Sequence, residues 1–306
     1  MRKLVVVTVL ISMILVIYEQ ISRAYYESTI VPSGELVDVG GYNLHYLKMG
    51  KGSPTVIFES GVDSRSHVQW SNLQQKLSQF STTISYDRAG YLFSDSSNKE
   101  KNIVNISNDL EIMLEKIDAP KPYILVGHSI AGATLRPFIE NNIDDIKGVV
   151  FLDAAHPDYF VKLPSELSFL AEESSKLPVK LASILGLSRL TKGSDTPELA
   201  LYHHSLNAWA DEYKHTESML KDAKNFSDFK DVHLSIIAGN PELMCEFISD
   251  KGTLFRKCVT HADLLQNDLT KLSSKSSLIK AVKSRHYVHF DQPELVINEI
   301  NRMINF

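Results

Sequence analysis

The run Gly127-His128-Ser129-Ile130-Ala131-Gly132 constrains this chain more than any other segment. Ahead of it, Tyr123-Ile124-Leu125-Val126 is a short apolar stretch, as expected of a buried strand. Behind it, Ile130 to Asn141 suits a helix. A serine between a buried strand and a helix sits on a tight turn. Small neighbours let the backbone make that turn, and Gly127 lets it pass close to the next helix. The turn lifts the hydroxyl above the sheet edge, where the helix N-terminus favours negative charge. These are the mechanics of a nucleophile elbow. Read as G-x-S-x-G, the last position is Ala131, with Gly132 one residue later.

The surrounding pattern fits a sheet that presents such a turn. Glu35 to Val39 and Tyr42 to Leu47 alternate around Gly40-Gly41, a hairpin signal. Buried strands are expected at Thr55 to Phe58, Thr83 to Tyr86 and Gly148 to Leu152. Helices are expected over 68–80 and 103–117, the second stopped by Asp118-Ala119-Pro120. The alternation argues a mostly parallel sheet with helices on both faces. It breaks over about 157–230, which holds helical runs at 165–173, 179–184 and 197–220 and reads as a helical cap over the sheet edge. Strands at 234–238 and 277–282 and helices at 264–272 and 293–303 complete the pattern.

Composition excludes several classes. The 306 residues are 43% hydrophobic and 23% charged, enough for a large core. The formal net charge of −5 leaves no basic footprint for nucleic acid. There is no H-E-x-x-H or C-x-x-C pair, so no metal site is expected. At the N-terminus, Arg2 and Lys3 precede the uncharged run Leu4 to Tyr18. That reads as a signal-anchor or signal peptide over 1–24, holding the chain at a membrane through residues 4–21 or releasing it. Ser22-Arg23-Ala24 is a poor cleavage site. Either reading puts the domain over 35–306 outside the cytoplasm. There Cys245 and Cys258, the only cysteines, can close a short loop or remain as thiols.

Over roughly 35–306 the chain resembles the α/β-hydrolase superfamily, and within it a bacterial group of capped serine hydrolases. The resemblance rests on Gly40-Gly-Tyr-Asn-Leu-His-Tyr46, Ser85-Tyr-Asp-Arg-Ala-Gly-Tyr91, Leu125-Val-Gly-His-Ser129, Phe151-Leu-Asp-Ala-Ala-His156 and His286-Tyr-Val-His-Phe-Asp-Gln-Pro293. Three positions depart from the pattern. Ala131 replaces the second elbow glycine, and Leu92 stands where glycine usually follows Ala89-Gly90-Tyr91; both are expected to alter packing only. Glu59-Ser60-Gly61 replaces His-Gly in the oxyanion loop, which bears on that loop's donor.

The resemblance implies a Ser-His-acid triad acting through an acyl-enzyme, with no cofactor and a small ester or acyl compound as substrate. A serine hydroxyl needs a base to take its proton. In this fold the base lies late in the chain. His286 aligns with it, and His289 is expected to be structural. Asp153 ends an apolar strand at the same sheet edge and is the expected acid. Glu242 follows the next strand, where most of the superfamily carries its acid, and is the alternative. The N–H groups of Ile130 and Val62 would form the oxyanion hole. Asp291 is expected to cap the helix beginning at Pro293. Asp87 and Arg88 are expected to order a turn, and His128 to be a packing or polar partner. A serine nucleophile argues against the haloalkane and epoxide branches, which use aspartate. Carbon–carbon cleavage on the same triad, or ligand binding without catalysis, are the rival readings.

Overall fold

A computed structural model describes residues 2–170, 202–249 and 251–306. Eight strands form one sheet: β1 (Glu35–Asp38), β2 (Asn43–Met49), β3 (Thr55–Glu59), β4 (Thr82–Tyr86), β5 (Tyr123–His128), β6 (Ile146–Leu152), β7 (His233–Gly239) and β8 (Ser276–Ala281). Their order is β1-β2-β4-β3-β5-β6-β7-β8. The β1–β2 hairpin and the β2–β4 pair are antiparallel, and every later pair is parallel. The helices are α1 (Arg2–Thr29), α2 (Ser71–Leu77), α3 (Ile103–Lys116), α4 (Ala131–Thr134), α5 (Arg136–Asn141), α6 (Tyr202–Asp222), α7 (Pro241–Met244), α8 (Thr253–Asp268), α9 (Val288–Asp291) and α10 (Pro293–Ile304).

The period-2 geometry of a strand turns alternate residues to opposite faces. Ile57, Leu125, Val149, Phe151 and Ile236 join one core with Leu110, Met113 and Phe138 from α3 and α5. Val56, Phe58, Ile124, Val126, Val150 and Leu152 join the other with Leu73 of α2 and Val296, Ile300 and Met303 of α10. Covering both faces explains why β3, β5 and β6 read as nearly continuous apolar runs. It also makes this an α/β-hydrolase fold, with the carboxyl ends of the parallel strands collected along one edge.

Several expectations are corrected here. The helix after the elbow divides at Leu135, because Pro137 has no N–H to give Ala133. The helix expected at 264–272 starts at Thr253 and tightens to a 3₁₀ turn over Leu269–Leu272. Leu92 does more than alter packing: its φ of 35° is left-handed, a conformation that glycine adopts freely. In the cap interval, a 3₁₀ turn at Ser165–Leu170 and α6 are helical. The run expected at 179–184 lies outside the described residues.

The membrane span expected over 4–21 is not supported. Among the described residues no helix is long and apolar enough to cross a membrane. The uncharged run ends at Tyr18, and a helix of that length reaches only about 22 Å against a hydrocarbon core of about 30 Å. α1 instead continues through Glu19, whose side chain is buried, to Thr29.

Candidate active site

The turn after β5 places Ser129 at φ +56°, the left-handed region, which is a strained conformation for a residue with a Cβ. The strain is held in place by backbone bonds. Ser129 N–H donates to Leu152 O at 3.2 Å, and Ser129 O accepts from Ala155 N–H at 2.7 Å. Two glycines make the elbow possible. A Cβ on Gly127 would lie 2.8 Å from the Ala131 methyl, so glycine here is what admits alanine at the departing position. A Cβ on Gly132 would lie 2.6 Å from Ala155 O, so Gly132 lets the helix close on the loop after β6.

His286 follows β8, and its Nδ1 lies 2.6 Å from Asp153 Oδ2. The second Asp153 oxygen accepts from Gly239 N–H at 3.0 Å, so each oxygen of this buried carboxylate has a partner. Asp153 is left-handed too, at φ +43°. The His286 main-chain carbonyl accepts from His128 Nε2 at 3.0 Å. Ser129, Asp153 and His286 all line one cavity of about 500 Å³. Glu242 is not brought to them: it is exposed in the first turn of α7, where its N–H donates to Asn240 Oδ1.

Around Ser129, Gly61 is another forced glycine. A Cβ there would meet His128 Nδ1 at 2.8 Å and Ser129 Cβ at 3.0 Å. The loop after β3 therefore presses on the elbow. Among the described residues neither Val62 N–H nor Ile130 N–H donates to a protein acceptor. Two unclaimed donors beside a serine can receive a developing oxyanion.

Glu59 and Arg88 account for the unusual oxyanion loop. The buried Arg88 guanidinium donates to Glu59 Oε1 at 2.7 Å, Ser60 O at 2.6 Å, Gly61 O at 2.7 Å and Glu212 Oε1 at 2.5 Å. Glu59 also accepts from Tyr86 and Thr134 hydroxyls. Burial pushes the Glu59 carboxyl up, opposed chiefly by the Arg88 charge. Arg88 thus ties the loop carrying Val62 to α6, beyond the local turn-ordering expected of it. Sequence spacing gave no sign of Glu212 as its partner, since the pair is separated by 124 residues.

Neighbouring residues have supporting places. His289 is buried against Trp70 and His128, and burial pushes it down to about 3. Asp291 does not cap α10, whose N-cap position is Gln292 without a side-chain bond. Its carboxylate instead accepts from Ser284 Oγ and Arg285 N–H, bracing the turn that delivers His286. Cys245 and Cys258 are joined as a disulfide that lines the cavity. His45, His67 and Asp87 form a buried group with ligand-type atoms within 4.8 Å of one another. The Asp87 carboxylate already accepts from both Nδ1 atoms, at 2.9 and 2.7 Å, and from His67 N–H. That bonding accounts for the group as a turn-ordering network after β4.

Comparisons with known proteins bear on the fold. A family model described as alpha/beta hydrolase fold matches residues 54–178. "Probable transporter efuK" of Hormonema carpetanum is 26% identical over 310 residues, covering 88% of this chain and 42% of that protein. The chain spans less than half the length of the first two curated relatives it matches, 42% and 49%. Among solved structures, the Cif epoxide hydrolase from Acinetobacter nosocomialis is similar with a TM-score of 0.66 at 16% identity, covering 94% of this chain and 96% of that one. The enol-lactonase from Burkholderia xenovorans LB400 gives 0.62 at 14%, covering 89% and 100%. The sheet order, the family match and these neighbours define the class: the chain has the fold of the α/β-hydrolase superfamily.

Proposed function

We propose that the protein is a serine hydrolase of carboxylic esters, working through an acyl-enzyme. The observation that carries this reading is the 2.6 Å contact of Asp153 with His286 Nδ1, in the cavity that Ser129 also lines. Asp153 fixes the imidazole with its proton on Nδ1, leaving Nε2 to take the Ser129 proton. Ser129 Oγ attacks the ester carbonyl. The oxyanion is received by the N–H groups of Val62 and Ile130, and His286 returns the proton to the leaving alkoxide. Water, deprotonated by the same imidazole, then attacks the acyl-Ser129 carbonyl, and the imidazolium returns that proton to Ser129 Oγ as the acyl–oxygen bond breaks and the acid leaves.

Neighbours of this fold carry names from several hydrolytic chemistries, including epoxide hydrolase and enol-lactonase. The nucleophile position separates them here. Serine supports acyl transfer, whereas the epoxide and haloalkane branches use aspartate. The disulfide further supports residence in an oxidising compartment outside the cytoplasm.

The test is hydrolysis of p-nitrophenyl esters of graded chain length, together with a fluorophosphonate probe. Covalent labelling that is lost in Ser129→Ala, with turnover lost in both Ser129→Ala and His286→Ala, is expected. Full turnover by Ser129→Ala would remove the reading.

A further inference from the structure

The loop after β3 carries Val62, and three consecutive carbonyls of that loop are tied down. Arg88 donates to Ser60 O at 2.6 Å and to Gly61 O at 2.7 Å. Trp209 Nε1 donates to the third, Val62 O, at 3.2 Å. Trp209 belongs to α6. So does the buried Glu212, which accepts from Arg88 Nη2 at 2.5 Å and from its Nε at 3.3 Å. The two residues stand three apart in the helix and so share one face of it. All three carbonyls are therefore anchored from α6, one directly and two through Arg88.

The bond at Gly61 O acts on the Val62 donor itself. Gly61 O and Val62 N–H belong to one trans peptide plane and point in opposite directions. Gly61 O accepts from Arg88 and, at 2.8 Å, from Asp63 N–H. With the oxygen held on that side, Val62 N–H is held on the other, where it meets no protein acceptor among the described residues. A bond from a charged guanidinium also polarises the plane and strengthens its N–H as a donor. Trp209 fixes the next plane by its oxygen, so Val62 is held from both sides. Apolar packing follows the same helix. The Val62 and Ile130 side chains lie in one cluster with Met219 and Leu220 of α6.

We propose that Trp209 is a positioning residue for the oxyanion hole, fixing the Val62 N–H from α6 through Val62 O, alongside the Glu212–Arg88 pair that acts through Gly61 O. This rests on the ester-hydrolase reading and adds to it the device that holds the donor. Trp209 does not line the cavity that Ser129, Asp153 and His286 share, so its effect reaches the reaction only through the loop. The oxyanion forms only as Ser129 Oγ bonds to the ester carbonyl. A displaced donor therefore loses transition-state stabilisation and leaves substrate binding nearly intact.

The test compares the full-length wild type with Trp209→Phe, which removes the indole N–H and keeps an aromatic ring. Turnover of one p-nitrophenyl ester is normalised to the serine titrated to completion by fluorophosphonate, so unfolded protein does not count. The expected result is a fall of about 10-fold or more in kcat, with KM changed by less than about 3-fold. A trifluoromethyl ketone, whose adduct carries the oxyanion, should lose affinity by the same factor as kcat/KM. Deuterium exchange over 61–66, where Asp63 and Ser66 N–H groups are bonded within the loop, should quicken. Glu212→Gln should move the same readouts the same way through Arg88, and it decides the question if the Phe variant does not fold. Unchanged kcat, a loss confined to KM, or a fall in kcat with inhibitor affinity and exchange unchanged would overturn the proposal. Failure of the ester-hydrolase reading looks different: the wild type would turn over no ester and escape fluorophosphonate labelling. The exchange comparison alone then decides whether Trp209 holds the loop, and unchanged exchange would overturn that too.

Discussion

Asp153 and His286, 133 residues apart in the chain, meet at 2.6 Å because β6 and β8 end at the same edge of the sheet. The strand between them, β7, contributes Gly239, and a Cβ there would lie 2.4 Å from Arg285 O and 3.4 Å from Asp153 Oδ1. Glycine at 239 is therefore what lets the loop carrying His286 reach the carboxylate.

Replacing Asp153 by Asn should lower kcat by about 10³–10⁴-fold, because the amide favours the wrong imidazole tautomer. Glu242→Gln should change kcat by less than about 3-fold, since that side chain is exposed at α7. Steady-state kinetics on one ester decides between them, and the opposite ranking would move the acid to Glu242.

Gly61→Ala should cut kcat by about 10²-fold with a smaller change in KM. The new methyl meets His128 Nδ1 at 2.8 Å, and the loop must move Val62 N–H away from the oxyanion position. Because that donor acts on the charge that develops in the transition state, an effect confined to KM would argue against its role.

Arg88→Met should destabilise by about 3–5 kcal/mol in urea unfolding, since it leaves the buried Glu59 and Glu212 carboxylates without their cation. Glu212→Gln alone should cost less and still weaken the hold of α6 on the oxyanion loop. An Arg88→Met protein of native stability would show that the two ion pairs are dispensable.

Opening the Cys245–Cys258 bridge, whose partners are 13 residues apart, should cost about 3 kcal/mol. The expected readout is a lower melting temperature for the Cys245→Ser/Cys258→Ser protein, matched by the wild type under reductant. Alkylation of unfolded, unreduced wild-type protein should find no free thiol.

Acid should weaken the fold in a defined window. His128 is pushed well below the ordinary imidazole range, first by burial, and His289 is pushed down to about 3 for the same reason. Each binds its proton more readily when unfolded. Their contribution is complete above pH 6.5 and is lost as pH falls from there towards the folded values. Between pH 6.5 and 5 His289 should cost about 2 kcal/mol, and His128 acts in the same direction. Urea midpoints across that range should fall steeply for wild type and less steeply for His289→Phe. Parallel curves would assign the acid sensitivity to other groups.

Local chemistry made much of this molecule legible in sequence. Period-2 alternation around Gly40-Gly41 marked the hairpin, and apolar runs marked β3 to β7 before any contact was known. Ser129 and His286 stood out as candidates because the elbow is a contiguous motif and the late histidine has a motif of its own. Each signal lies within a few residues, the range over which backbone geometry and burial imprint a pattern.

What the sequence left open depends on where distant segments meet. Asp153 and Glu242 both follow strands; only the packing of β7 and β8 exposes one and aims the other at His286. Asp291 fits a helix cap by position, yet the fold of the preceding loop turns it to Ser284 and Arg285. The sequence alone singled out Ser129 and His286 by motif and gave the alternating α/β pattern. Tertiary structure decided which carboxylate meets His286 and the Arg88–Glu212 tie. Each of these is a question of which polar atom finds a partner after burial, and that partner is set by the sheet order, across spans of 100 residues or more in both cases.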